Sequence, residues 1–280
     1  MLFVTLAVLA LGRPAVAAED EPARVFPGPF DHMARHFAGG FLDFNLSFHI
    51  AAVAATATMT THDTDLEIHR YFRDHPDLGR IGYPIIVAGV AGPVLLFGGL
   101  HIAGRATQNP ETVGAAYAVF QSVALTLGYV TLLKLVTGRP APRDDYIPSL
   151  AEDDEHLARK FRPGVYRGGI VSGWPSGHVA VTTAMLSALA FYYPKSWLLK
   201  AALLVCSAGM MFGVSSFQAG GMHWASDAVA GALMAFPIGM STGRGMRNVV
   251  DRTKPGARSA WFVAPSLRPE AKGLTIGRFF

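Results

Sequence analysis

Two histidines lie near the starts of apolar segments, where their side chains can take part in phosphate chemistry. The first ends the run Pro175, Ser176, Gly177 and His178, and His223 follows 45 residues later. The first backbone N–H groups of a helix have no partner within the helix, so they suit a phosphate oxygen. Gly177 lets an anion approach the backbone, Ser176 offers a hydroxyl, and His178 can protonate a leaving oxygen. Taken alone, this run fits a capped helix with an incidental histidine equally well.

Asp227 follows His223 by four residues and supplies a second element of a site. A carboxylate at this spacing can hold one ring nitrogen of the histidine and leave the other nitrogen free to attack phosphorus. Alone, such a pair is more often a structural cap or a buried ion pair than a catalytic pair. It gains weight because the turn at His178 precedes it.

A third group of polar residues precedes both histidines. Lys134 ends an apolar stretch, and Arg139 and Arg143 lie in the Gly- and Pro-rich segment that follows. These cations can bind phosphate. The alternative, which we favour for this group taken alone, is that basic side chains mark the edge of a membrane segment and extend towards water.

In their order and spacing, the three groups resemble the three motifs of the type 2 phosphatidic acid phosphatase (PAP2) superfamily. The resemblance runs from about Tyr83 to about Met240 and implies the helical core that this superfamily shares with soluble acid phosphatases and vanadium haloperoxidases. It also implies that His223 is the nucleophile that becomes phosphorylated, that Asp227 orients it and that His178 is the general acid. The residues that would then hold the phosphate oxygens are Lys134, Ser176 and Gly177.

Two departures from the family pattern remove positive charge from the expected site. Ala141 and Phe217 stand where the family has arginines. Each lost donor should weaken transition-state stabilisation by roughly 3 to 4 kcal/mol unless another cation replaces it. We expect Arg139 to bind phosphate in their place. The other candidate replacements are Arg143, Arg162 and Arg167.

The composition predicts a membrane protein, because 51% of the residues are hydrophobic, 16% are charged and the mean hydropathy is positive. We expect an all-α domain, a membrane-embedded bundle of about six helices of the PAP2/haloperoxidase type. The predicted spans are 39–58, 83–103, 113–134, 174–193, 197–217 and 225–241, most of them close to the roughly 20 residues that cross a bilayer. Pro93 and Pro237 interrupt two spans, so a buried bundle in a soluble periplasmic phosphatase is the alternative.

The two ends of the chain give conflicting indications of topology. Residues 1–18 resemble a secretory signal with a small-residue cleavage site, with an uncleaved N-terminal anchor as the competitor. Basic residues after the last span predict a cytoplasmic tail, which places the motifs on the periplasmic side of a bacterial inner membrane. A cleaved signal followed by six spans would instead place the C-terminal tail outside and the motifs on the cytoplasmic side. We therefore expect 39–58, the most polar candidate span, not to cross.

The predicted organisation has three parts. Residues 1–18 form the signal or anchor, 19–245 the PAP2-like helical domain, and 246–280 a basic C-terminal tail. Within the tail, 261–265 and 273–280 alternate as two strands around a turn, which predicts a small β-hairpin. An isolated hairpin is marginal in water, so it would have to pack on the bundle or the membrane surface, or remain loose.

The remaining polar residues give no indication of a cofactor. The acidic cluster at 152–155 is more typical of solvated surface than of a metal site, and the three motifs work without metal, so we expect neither metal nor cofactor. Four histidines lack a ligand-like spacing and are expected to be structural: His62, His69, His101 and His156. The single cysteine, Cys206, excludes an internal disulfide. No nucleic-acid-binding module is recognisable.

These features together predict a membrane phosphatase that hydrolyses a lipid phosphomonoester or diphosphate through a phosphohistidine on His223. Its expected partners are the lipid substrate and the membrane. Ala141 and Phe217 motivate an alternative, a catalytically degenerate protein of the same fold that binds anionic head groups or a partner. A third alternative is vanadate-dependent halide oxidation. This reaction needs the same anion-binding residues, and the loss of the two arginines would weaken it more.

Overall fold

The computed structural model describes residues 26–142, 157–162, 173–217, 221–253, 261–268 and 271–278. These residues form eight helices of seven or more residues and two strands. The helices are α1 (Met33–Gly39), α2 (Asn45–Thr61), α3 (Thr64–Asp74), α4 (Asp77–Ala106), α5 (Pro110–Thr137), α6 (Gly177–Tyr192), α7 (Trp197–Ser216) and α8 (Ala225–Arg252). The domain is helical, as predicted, but the expected count of about six helices is not confirmed.

Local sequence signals set the start of α5, the helix that carries Lys134. Asn109 is the N-cap, and its side-chain oxygen accepts hydrogen bonds from the backbone N–H groups of Glu111 and Thr112 at 2.9 and 3.3 Å. Pro110 follows at the first helical position, where its missing N–H leaves no bond unmade. The start of α5 is therefore fixed by two consecutive residues, Asn109 and Pro110.

The end of α5 requires a glycine. Gly138 has a φ of 55°, a left-handed conformation that closes the helix by a backbone bond to the carbonyl of Lys134. A Cβ at Gly138 would also lie 2.3 Å from the carbonyl oxygen of Arg162. The chain thus turns sharply after α5 and carries Arg139 into the protein, where the Arg139 side chain is fully buried.

The centre of the bundle is the contact between α6 and α8, which pack closely because α8 carries glycines. A Cβ at Gly239 would lie 2.3 Å from the carbonyl oxygen of Ala184, and one at Gly243 would lie 2.2 Å from that of Ala188. Small residues let helix backbones approach in this way. Around them, α5, α6 and α8 share an apolar core that includes Val113, Tyr117, Met185, Leu189, Tyr192 and Met246.

Three helices are long and apolar enough to cross a membrane: α4, α5 and α7. They correspond to the predicted spans 83–103, 113–134 and 197–217. Their outer faces carry exposed apolar side chains such as Val94 and Ile102 on α4 and Leu204 on α7. Outward-facing apolar surface on helices of this length fits association with a membrane. The apolar α6 is shorter, at 16 residues.

The prolines that interrupt the predicted spans do not end the helices. α4 continues through Pro84 and Pro93, and α8 continues through Pro237 to Arg252. The last helix therefore extends eleven residues beyond the predicted span 225–241. A proline within a long packed helix removes one backbone bond, and tertiary contacts tolerate that loss.

At the C-terminal end, strands β1 (Trp261–Arg268) and β2 (Ala271–Arg278) pair antiparallel, from Trp261 opposite Arg278 to Arg268 opposite Ala271. Each strand has eight residues and differs in its bounds from the predicted segments 261–265 and 273–280. The predicted signal or anchor at 1–18 lies outside the described residues, as does the acidic cluster at 152–155.

Candidate active site

The predicted phosphate-binding turn forms the start of α6. Ser176 is its N-cap residue, and the backbone N–H of Ser176 donates to the carbonyl of Asp227 at 2.9 Å, which ties this turn to the start of α8. The Ser176 side chain is fully buried, and its Oγ has no hydrogen-bond partner among the described residues. Buried hydroxyls normally have a partner, so this oxygen is suited to a ligand atom.

His178 and His223 lie side by side, as the predicted mechanism requires. Their ring centroids are 6.0 Å apart in an edge-to-face arrangement. His178 occupies the first turn of α6, and His223 lies in the short connection between α7 and α8. Two backbone bonds to the carbonyl of Val214 hold that connection, one from Met222 at 2.9 Å and one from His223 at 3.4 Å. Both rings can therefore reach one phosphoryl group.

Asp227 stands behind the His223 ring. Its Oδ2 lies 3.5 Å from Nδ1 of His223, longer than a normal hydrogen bond, and accepts the backbone N–H of Trp224 at 3.2 Å. The same carboxylate thus caps the start of α8 and faces the histidine. With Nδ1 directed at Asp227, Nε2 is the ring nitrogen left to attack phosphorus.

The surroundings of His223 favour its neutral form. The side chain is 2% exposed, and burial together with the nearby charge of Lys134 lowers the pKa of His223 to about 4, although Asp227 acts in the opposite direction. At neutral pH the imidazole is therefore unprotonated, which is the form that a nucleophile needs.

Lys134 and Gly177 meet beside the histidines. The Lys134 side chain is buried, and its Nζ donates to the carbonyl of Gly173 at 3.2 Å. A Cβ at Gly177 would lie 3.9 Å from Cε of Lys134, so the lysine stem passes close to the first backbone N–H groups of α6. An ammonium beside a helix N-terminus provides two kinds of attraction for an anion.

Arg139 occupies a different environment from the one expected for a phosphate ligand. Its Nη1 donates to Asp227 Oδ1 at 2.5 Å and to Ser226 Oγ at 2.7 Å. Its Nη2 donates to Asp65 Oδ2 and to the carbonyl of Ala158, each at 2.6 Å. Two carboxylates surround the buried guanidinium and offset its charge. This geometry favours a role for Arg139 in positioning Asp227 and disfavours direct contact of Arg139 with phosphate.

Asp65 is the residue of this site that the sequence analysis missed. It lies on α3, 162 positions before Asp227, and is 1% exposed. Its only local indication was a carboxylate in the first turn of a short polar helix, which is also the signature of ordinary helix capping. No sequence spacing connects Asp65 to the motifs.

The two positions at which the resemblance predicts arginines contain no cation. Ala141 is buried, and the ring of Phe217 stacks on Tyr83 with centroids 6.2 Å apart. Of the suggested replacements, Arg162 lies against the end of α5, where its backbone N–H donates to the carbonyl of Thr137 at 3.1 Å. Arg143 and Arg167 lie outside the described residues.

A cavity of about 250 Å³ opens beside the site, bounded by Lys134, Gly177 and His178. The rest of its lining is mainly apolar and comes from α4, α5 and α6: Gly89, Val90, Leu127, Val130, Thr131 and Val181. Its α5 residues run from Lys134 back to Leu127, a length of roughly 10 Å at the rise of an α-helix. Val90 and Leu127 are both more than half exposed, so the cavity reaches the outer face of the bundle.

Among the described residues, the histidines that were expected to be structural stand apart from His178 and His223. The buried His69 packs against Trp224 with ring centroids 5.4 Å apart, and His101 lies 5.5 Å from the ring of Tyr117. His62 is the C-cap residue that follows α2, and His156 lies outside the described residues. Within the described ranges, no three His, Cys, Asp or Glu residues are grouped so that they could hold a metal ion.

Comparison with known proteins gives one family match. Residues 115–249 match the family model of the PAP2 superfamily, a segment that contains Lys134, His178, His223 and Asp227. The chain therefore carries a PAP2 superfamily domain, as the three motifs predicted. No curated protein and no solved structure gives a significant match. Helices α1 to α4, and with them Asp65, precede the matched segment.

Proposed function

We propose that this protein is a phosphatase that hydrolyses a lipid phosphomonoester or diphosphate through a phosphohistidine intermediate. The observation that carries the proposal is the pair of rings, His178 and His223, 6.0 Å apart at the starts of α6 and α8, with Asp227 behind His223. Nothing in a purely structural pair of capped helices requires the buried His223 and the partly buried His178 to face each other.

The proposed reaction has two displacements at phosphorus. Nε2 of His223 attacks, the bond between phosphorus and the leaving oxygen breaks, and His178 donates a proton to that oxygen. Water then attacks the phosphohistidine, His178 takes a proton from it, and inorganic phosphate leaves with His223 restored. Lys134, the Ser176 hydroxyl and the backbone at Gly177 hold the phosphate oxygens throughout. Every step uses groups of this chain.

The bundle supports a lipid as the substrate. Three apolar helices fit association with a membrane, and the cavity beside His178 has mainly apolar walls that reach the exposed side chains of Val90 and Leu127. A phosphate bound at the start of α6 would leave its hydrocarbon chain to lie along this cavity. We place the protein in the inner membrane of a bacterial envelope with the site facing the periplasm, because the basic residues that follow the last predicted span favour a cytoplasmic tail.

A second candidate is a catalytically degenerate protein of this fold that binds anionic head groups or a partner. It is favoured by Ala141, by Phe217 packed on Tyr83, and by the engagement of Arg139 with two carboxylates. In this candidate the buried cradle at Ser176 and Lys134 still binds phosphate, and turnover is absent.

Phosphate release by the purified protein in detergent, without added metal, separates the two candidates. The substrates are short-chain phosphatidic acid and a polyprenyl diphosphate, and the key variant is His223→Ala. The matched control is His62→Ala, which removes an exposed histidine at the end of α2. Release that disappears only in His223→Ala supports the phosphatase. Equal background from all three proteins supports the binding protein.

A further inference from the structure

A buried carboxylate on a helix before the matched family segment connects to the catalytic residues. Asp65 Oδ1 accepts the backbone N–H of Ser226 at 2.8 Å, and Oδ2 accepts the Ser226 hydroxyl at 2.6 Å and Arg139 Nη2 at 2.6 Å. Both oxygens are therefore used, and all the partners are buried. Buried hydrogen bonds of this kind restrict the positions of the groups that they join.

The network reaches the Asp227 carboxylate, which faces His223. Arg139 joins Asp65 to Asp227 Oδ1, and the other oxygen of Asp227 faces Nδ1 of His223 at 3.5 Å. Arg139 is held between two carboxylates that are both fully buried at their side chains. The position of the guanidinium therefore decides which oxygen of Asp227 is presented to the histidine.

A purely structural role for Asp65 would be to attach α3 to the bundle. The contacts of Asp65 do more than attach α3 to the bundle. Two of them are to Ser226, the residue directly before Asp227 in the first turn of α8. Without the Asp65 charge, Arg139 would keep one carboxylate partner, Asp227, and would draw it away from His223. The network thus acts on the orientation of the nucleophile.

We propose that Asp65 is a positioning residue of the phosphatase site, which fixes the Asp227 carboxylate against His223 through Arg139 and Ser226. The inference rests on the function proposed above. It assigns a role in the reaction to α3, which lies outside the segment 115–249 that the family model matches.

The test variant is Asp65→Asn, which keeps the shape of the side chain and removes its charge. We expect kcat for short-chain phosphatidic acid to fall on the order of 10- to 100-fold, the loss that follows small displacements of a reacting group. KM should change less than about twofold, because Lys134, Ser176 and Gly177 still hold the phosphate. A variant with wild-type kcat, or one with a raised KM and unchanged kcat, overturns the inference.

A pH profile distinguishes positioning from a loss of folded protein. Removing a negative charge from this network disfavours protonated His223, so the acid limb of kcat/KM should move to lower pH in Asp65→Asn. The charged or titratable groups that face His223, namely Asp227, Lys134 and His178, are unchanged in this variant. An acid limb at the wild-type position, together with wild-type kcat, contradicts the inference.

Asp63→Asn is the matched control. Asp63 lies two residues earlier and pairs with Arg159 at a partly exposed site, where its side chain is 46% exposed. Its variant should retain wild-type kcat and KM. If Asp65→Asn does not fold, Ser226→Ala takes its place, since it removes one hydroxyl from the network and keeps both carboxylates. A folded Ser226→Ala with wild-type kcat then overturns the inference.

The failure of this inference and the failure of the proposed function give different results. If wild-type protein shows no phosphate release that depends on His223, the proposed function fails. The positioning role is then tested by NMR titration of ¹⁵N-labelled histidine, in which the His223 signal should titrate at lower pH in Asp65→Asn than in wild type. Identical titrations in the two proteins would reject the role of Asp65.

Discussion

At the scale of single residues, His223 carries the proposed chemistry, and its surroundings set its protonation. Burial and the charge of Lys134 lower its pKa to about 4. The group is therefore deprotonated over the whole range above that value and becomes protonated only as the pH falls through it.

This shift predicts an unusual acid limb. Because the nucleophile must be neutral, kcat/KM of the wild-type protein should fall as the pH drops through about 4, and not near the ordinary histidine value of about 6.5. The measurement is the pH dependence of phosphate release at substrate concentrations below KM. A limb centred near 6.5 that does not follow the second pKa of the substrate phosphate would show that His223 is not held neutral by its environment.

The role of His178 predicts a dependence on the leaving group. In His178→Ala, first-turnover cleavage of an alkyl phosphate should slow on the order of 10²- to 10⁴-fold, because the leaving alkoxide needs a proton. Cleavage of an aryl phosphate such as p-nitrophenyl phosphate should slow much less, since its leaving group is stable as an anion. Rapid-quench measurement of the first turnover tests this, and equal losses for both substrates would exclude His178 as the general acid.

At the scale of helices, the close contact between α6 and α8 sets the distance between the two histidines. Ser176 N–H bonds to the carbonyl of Asp227, and the glycine face of α8 lets the two backbones approach further along. His178 lies in the first turn of α6 and His223 lies two residues before α8, so a change in helix separation would change the separation of the rings.

Gly239→Ala tests this contact. The new Cβ would lie 1.9 Å from Ser187 Oγ and 2.3 Å from the carbonyl oxygen of Ala184, which forces the helices apart. We expect a loss of stability of about 1 to 3 kcal/mol, typical of overpacking, together with reduced activity. The measurements are the thermal midpoint in detergent and phosphate release.

The matched control is Gly98→Ala on α4, where a Cβ would meet nothing within 4 Å. This variant should be neutral or more stable by about 0.5 to 1 kcal/mol, the usual gain of alanine over glycine in a helix. If both variants behaved alike, the close approach of α6 and α8 would not matter for stability.

At the scale of the whole molecule, three apolar helices and a lateral cavity bring the proposed phosphate site and the exposed apolar surface together. The cavity begins at Lys134 and His178, and Leu127 belongs to its wall on α5. Its position predicts that the hydrocarbon part of a substrate contributes to binding there.

Leu127→Trp should therefore discriminate between substrates. The larger ring would fill part of the cavity and lower kcat/KM for a long-chain lipid phosphate by about 10-fold or more, the scale of pocket discrimination, while hydrolysis of p-nitrophenyl phosphate stays unchanged. Leu132→Trp is the control, because Leu132 is exposed on the same helix and does not line the cavity. Equal loss for both substrates in Leu127→Trp would argue against a hydrocarbon site in this cavity.

The sequence by itself predicted the PAP2 resemblance, the helical class and the residues of the three motifs. These depend on short-range signals: the capped turn before His178, the four-residue spacing of His223 and Asp227, and apolar runs long enough for α4, α5 and α7. Each of these signals lies within one segment of the chain. The local rules for helix starts and for the length of apolar segments are therefore enough to recognise it.

Only the tertiary structure decided how Arg139 is used. The sequence placed it with the phosphate ligands because it lies in the first motif, whereas the fold directs it towards Asp65 and Asp227, 74 and 88 positions away. The helix count and the passage of α4 and α8 through their prolines were decided in the same way. In each case the outcome depends on which distant groups meet in the packed protein, because a buried charge takes the partners that surround it and no local pattern specifies them.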